Sequence, residues 1–180
     1  MSVIKVILEE PEIRVATMLA VERWRMKRDS TDKESYAIGK KQGLLEHELL
    51  ANLRANLSES AVSKYYALPW TTPFYMNSEH PRRWAHADVG ARLEVRTLRT
   101  RSEVPIWEKD RQKGNLVVAT HVSEFDYGTE VEILGWFDPS EDALDDSWKN
   151  IDYQTKKWDG SWRIPLDQLR DPLILPTEAF

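Results

Sequence analysis

Asp88-Val89-Gly90-Ala91-Arg92-Leu93-Glu94-Val95-Arg96 is where the chain turns from helical to extended texture, and its alternation sets the architecture expected of the rest. In an extended strand successive side chains point to opposite faces, so Glu94 and Arg96 share one side while Leu93, Val95 and Thr97 take the other. A carboxylate and a cation then lie on one polar face. Asp88 stands just before Gly90, and a glycine-containing turn between two short strands folds it back beside Glu94. Together they offer two hard oxygen ligands to a divalent cation.

Outward from this stretch, strands are expected at Trp84 to Val89, Arg92 to Leu98, Leu116 to His121 and Glu130 to Phe137, separated by polar or turn-rich segments. Asp110-Arg-Gln-Lys-Gly-Asn reads as the turn of a hairpin between Trp107 and Leu116, and Trp136-Phe-Asp-Pro closes a strand with a proline stop. Toward the N-terminus the period changes. Ile13 to Lys27 carries Val15, Leu19 and Trp24 near helical spacing behind Pro11, which predicts a helix. From Tyr36 to Tyr66, Leu45, Leu49, Leu53, Leu57 and Ala61 recur every fourth residue, predicting one long helix or two collinear ones with a break near Leu57-Ser58. Pro69 ends this helical region. Met1 to Leu8 reads either as a short strand or as an unsettled terminus. The tail holds Trp148, Trp158, Trp162, Pro165, Pro172 and Pro176, and is expected to wrap the surface, anchored by its aromatics. Trp136 and Trp162 lie in apolar contexts that favour core packing over base stacking. The fold class is therefore α/β (α+β), with N-terminal helices and then a mixed sheet of about four strands.

At 180 residues and 41% hydrophobic content the chain fits a single domain. It has no cysteine, which excludes disulfides and thiolate chemistry. No apolar run approaches the roughly 18 residues of a bilayer span. Met-Ser-Val-Ile-Lys lacks a basic region followed by a long hydrophobic stretch, so a cytoplasmic location with no membrane partner is the expectation. The formal charge of -5 is unevenly spread. Residues 82–101 hold Arg82, Arg83, Arg92, Arg96, Arg99 and Arg101 and no lysine, and the guanidinium fork suits phosphate. Residues 124–146 hold nine acids and no lysine or arginine. Solvated surface accounts equally for both segments.

The ordered residues Ser58-Glu59-Ser-Ala-Val, Ala87-Asp88-Val-Gly and Leu93-Glu94-Val-Arg96-Thr resemble the PD-(D/E)XK nuclease superfamily, in particular small phage and metagenomic proteins with Glu-Val-Arg in place of Glu-x-Lys. Asp110, Leu116-Val-Val, Ile133-Leu-Gly-Trp-Phe and Ile164-Pro-Leu-Asp-Gln-Leu-Arg extend the likeness from about Leu57 to Pro172. The resemblance implies a restriction-endonuclease-like core over 57–172, after an N-terminal helical region, 1–56, and before a tail, 173–180. It implies Asp88 and Glu94 as metal ligands on adjacent strands, with Glu59 completing the shell directly or through water. Mg²⁺ or Mn²⁺ is the implied cofactor, and phosphodiester hydrolysis of nucleic acid, DNA first, the implied reaction. Glu59, Asp88, Glu94 and Arg96 would carry catalysis, and Arg82, Arg83, Arg92, Arg99 and Arg101 would bind nucleic acid. A phage-infected bacterial cytoplasm is the implied setting, and a homodimer is compatible with it. Arg96 departs from the family's lysine and, always protonated, cannot act as a general base.

Other readings of the same residues stay open. Glu94 serves equally as half of a surface ion pair, Asp88 as a turn residue, and Glu59 as a first-turn helix acid. His86 and Asp88, with His80 nearby, would make a different metal pair. A catalytically inactive nuclease-like fold would bind nucleic acid or a protein without turnover, and the acidic stretch would dock on a basic surface. No glycine-rich phosphate loop and no Gly-x-Ser-x-Gly elbow is present.

Overall fold

A computed structural model describes residues 2–29, 48–71, 86–122 and 130–176. Strand β1 (Ile4–Ile7) precedes helices α1 (Glu10–Asp29) and α2 (Glu48–Tyr66). Then come β2 (Leu93–Leu98), β3 (Glu103–Trp107), the short helix α3 (Glu108–Lys113), β4 (Leu116–Val122), β5 (Glu130–Phe137), β6 (Lys149–Ile151) and β7 (Trp158–Pro165). A four-stranded mixed sheet runs in the order β1-β5-β4-β2, antiparallel except for the β4–β2 pair. A second, antiparallel sheet of three strands runs β3-β7-β6.

The mixed sheet lies between two apolar clusters, and its residue pattern follows from that. Along β4, Leu116 and Val118 join the cluster that includes Leu57, Ala61 and Val62 of α2, whereas Val117 and Ala119 join the one with Val104, Ile106, Trp162 and Ile164 of the second sheet. A strand covered on both faces reads as a continuous apolar run. Burying each such side chain contributes about 1.5–3 kcal/mol. Helix α2 is tied to α1 by the buried Asn56, whose Nδ2 donates to Ala16 O at 3.2 Å. Gly135 marks the irregular register between β4 and β5. There the backbone at Leu169 and Arg170 comes so close that an added Cβ would meet Arg170 O at 2.7 Å.

Several expectations are corrected. Residues 86–88 are not extended, and Val89 makes only single bridges to Trp70 and Leu93, because Gly90 (φ 59°) turns the chain at once into β2. Helix α2 runs unbroken through Leu57 and Ser58, both buried against the core, so packing overrides the capping tendency of serine. Its predicted beginning, from Tyr36, lies outside the described residues. Asp110 to Lys113 belongs to a helix and not to a hairpin turn, and the strands on either side of it enter different sheets. The tail contributes the eight-residue strand β7, with Trp162 buried. Only its last part wraps the surface. Trp136 Nε1 donates to Ile174 O at 2.8 Å and Tyr66 Oη to Pro172 O at 2.7 Å.

Candidate functional site

Strand β2 is an edge of the mixed sheet, and the candidate residues gather around that edge from three directions. The backbone N–H groups of Leu93 and Val95 point away from β4. Leu93 finds Val89 O at 3.1 Å, and Val95 would be left open. Asp88, brought back by the Gly90 turn, accepts the Val95 N–H on Oδ2 at 2.9 Å. A buried amide requires such a partner. The glycine turn and the edge amide together put Asp88 beside Glu94.

Glu59 arrives from the helical side. It stands well inside α2, is 3% exposed, and both of its oxygens are engaged. Arg23 of α1 forks onto it, Nη1 to Oε1 at 3.1 Å and Nη2 to Oε2 at 3.3 Å. Trp70 Nε1 adds a third hydrogen bond, to Oε2 at 2.8 Å. The first-turn helix acid is thereby set aside, since Glu59 sits mid-helix.

Glu94 and Arg96 occupy the opposite face of β2, as the alternation requires. Arg96 Nη1 donates to Glu94 Oε1 at 2.7 Å, with side-chain exposures of 15% and 14%. This is a partly buried pair within one strand, not a surface pair between strands. Arg96 Nη2 donates to both oxygens of Asp110 at 3.0 and 2.9 Å. Burial alone would lower the Arg96 pKa, but Glu94 and Asp110 outweigh it and raise it, so the guanidinium stays charged. Arg23 and Trp70 carry no site role in the sequence reading, and Asp110 enters it only as a turn residue and as part of the resemblance. The signal available for Asp110 was its place three residues after Trp107, whose N–H it accepts at 2.9 Å at the start of α3.

Asp88 differs from the other two carboxylates. Among the described residues it has no salt-bridge partner, whereas Glu59 has Arg23 and Glu94 has Arg96. Burial first, and then the negative charges of Glu59 and Glu94, push its carboxyl well above the usual carboxylate range; the Val95 N–H and Arg96 pull the other way without prevailing.

Asp88 Oδ1 and Glu94 Oε2 accept no hydrogen bond among the described residues. A pair of open carboxylate oxygens fits Mg²⁺, which keeps several waters and is usually held by one or two carboxylates. Among the described residues no group of three or more His, Asp or Glu is gathered to hold a metal ion, so a cation here would rest on two side chains and water. The His86-x-Asp88 pair loses its premise because these residues are not on a strand, and His80 lies outside the described residues.

Among the described residues, the arginines of the basic segment differ in their surroundings. Arg92 Nε donates to Gly114 O at 2.8 Å and its Nη2 lies 3.9 Å from Asp138. Arg101 pairs with Glu132, and Arg99 is exposed just past the end of β2. Arg82 and Arg83 lie outside the described residues. Among the described helices none is long and apolar enough to cross a membrane.

Family models, curated proteins and solved structures were each compared with this chain. It matches none of them.

Proposed function

We propose that this chain is a divalent-cation-dependent nuclease of PD-(D/E)XK type that hydrolyses phosphodiester bonds of nucleic acid, DNA first among its substrates, in a cytoplasmic setting. The observation that carries the reading is the place of Asp88: a half-buried carboxylate, folded back by the Gly90 turn onto the Val95 N–H beside Glu94, with no salt-bridge partner among the described residues. Like charges crowded into a desolvated place cost stability unless something positive joins them. Asp88 and Glu94 would hold the cation, each with one open oxygen. Glu59, its oxygens already committed to Arg23 and Trp70, would act from one layer further out, through water. Bound there, Mg²⁺ or Mn²⁺ supplies an activated water and charge stabilisation for phosphodiester hydrolysis. Arg96 takes no proton from that water, because it stays protonated. It holds Glu94 in place and lends positive charge to the side of the site that faces the second sheet.

The test is cleavage of single- and double-stranded DNA and RNA by the purified chain in Mg²⁺, Mn²⁺ or EDTA, beside Glu94→Ala. Metal-dependent cleavage that disappears in the variant is the expected result. Undiminished cleavage by a folded Glu94→Ala protein would remove Glu94 from the mechanism.

A second reading has its own support in the double engagement of Arg96, which leaves no lysine-like base at that position. It is a nuclease-like fold that binds nucleic acid without turnover. Its signature is affinity that falls steeply with salt, in the absence of cleavage under every metal condition.

A further inference from the structure

Asp110 is almost completely buried, 1% exposed, and a carboxylate in that position persists only when it is paired. Its partners are Arg96 Nη2, which reaches both oxygens, and the N–H of Trp107. Arginine has five N–H donors. In Arg96 Nη2 is spent on Asp110, Nη1 bonds Glu94 at 2.7 Å and lies 3.5 Å from Val95 O, and Nε is buried without a hydrogen-bond partner among the described residues. The two acids are not equivalent. Asp110 is the more deeply buried and has both oxygens engaged by Nη2 at 2.9–3.0 Å, whereas Glu94 is held through one oxygen by Nη1 at 2.7 Å.

We propose that Asp110 is the positioning residue of the cation site: it anchors the Arg96 guanidinium to α3, and the anchored guanidinium fixes Glu94 while leaving Oε2 open. The inference rests on Asp88 and Glu94 being that site. It also accounts for arginine where the family has lysine. A planar fork spans Asp110 and Glu94 at once, and an ammonium on a flexible stem does not. Arg96 and Asp110 are one device, and position 96 cannot be returned to lysine without loosening Glu94.

The experiment titrates the full-length wild type, Asp110→Asn, Arg96→Lys and the double variant with Mn²⁺ by calorimetry. In parallel it records the ¹⁵N signals of the Arg96 side chain in the wild type and Asp110→Asn. Losing a residue that orients a metal ligand lowers affinity by about 10–100-fold. Asp110→Asn and Arg96→Lys are each expected to weaken Mn²⁺ binding at least about tenfold, with the double variant no weaker than the worse single. Separate Arg96 Nη signals in the wild type should merge in Asp110→Asn as the guanidinium becomes free to rotate. Affinity within twofold of wild type in either single variant, or fully additive losses, overturns the proposal. If Asp110→Asn does not fold, Arg96→Lys decides alone, since it leaves the Asp110 bond to Trp107 in place. A wild type that binds no Mn²⁺ brings down the cation site itself and with it this role of Asp110. The Arg96 signals need no metal, and separate Nη signals persisting in Asp110→Asn would refute the anchor on their own.

Discussion

The most acidic part of the sequence and the acidic edge of β2 have opposite characters in the fold. Along the acidic stretch, Glu130 meets Lys5 at 2.8 Å, Glu132 meets Arg101, Asp142 meets Arg170 and Asp146 meets Lys149 at 2.7 Å. Much of the acidic charge among the described residues is paired within the chain. Around β2 the acids are fewer, and Glu59, Glu94 and Asp110 are matched by arginines, yet among the described residues Asp88 has no cation of its own. A desolvated charge left unbalanced is worth more attention than many exposed ones, because water and counter-ions screen the latter.

The contrast can be broken at graded cost. Arg23→Ala leaves Glu59 buried without its counter-charge, and losing one partner of such a pair costs about 3–5 kcal/mol. Urea unfolding of Arg23→Ala should therefore register the largest loss. Asp88→Asn should move stability the other way. The folded-state pKa of Asp88 is raised, so the native chain holds this proton more firmly than the unfolded chain does. Its contribution is lost as pH rises from the ordinary carboxylate range through the raised value. Asn keeps an oxygen for the Val95 N–H and has no charge to desolvate. Asp88→Asn should thus melt higher than wild type at neutral pH and lose the difference in acid, although most point substitutions destabilise by about 0.5–3 kcal/mol. A lower melting temperature at neutral pH would contradict the unbalanced charge. The smallest effect belongs to Arg101→Ala, which removes the partner of Glu132 in the acidic stretch, where a pair half open to water is worth at most about 1 kcal/mol.

How much of this was legible in the sequence depended on whether the cause was local. The alternation of β2 put Glu94 and Arg96 on one face, and Gly90 announced the turn that returns Asp88. The apolar runs at Leu116 and Glu130 gave two strands of the mixed sheet almost to the residue. The second sheet was hidden because β3 contains Pro105 and β7 lies in a tail whose prolines and polar residues suggested coil. Both are ordered by packing Val104, Ile106, Trp162 and Ile164 against the far face of the mixed sheet. Arg23 and Asp110 were invisible as site residues for a similar reason. Arg23 lies 36 positions from Glu59 and Asp110 lies 14 from Arg96, so only the assembled fold brings either pair together.

The central claim is that Asp88 and Glu94 form a place for one divalent cation. The direct measurement is Mn²⁺ titration of the wild-type chain and of Asp88→Asn by calorimetry, with melting temperatures recorded with and without the metal. One Mn²⁺ per chain, a melting temperature raised by Mn²⁺ in the wild type, and both effects lost in Asp88→Asn are the predicted outcome. Equal Mn²⁺ affinity in wild type and Asp88→Asn, or no binding in either, would contradict it.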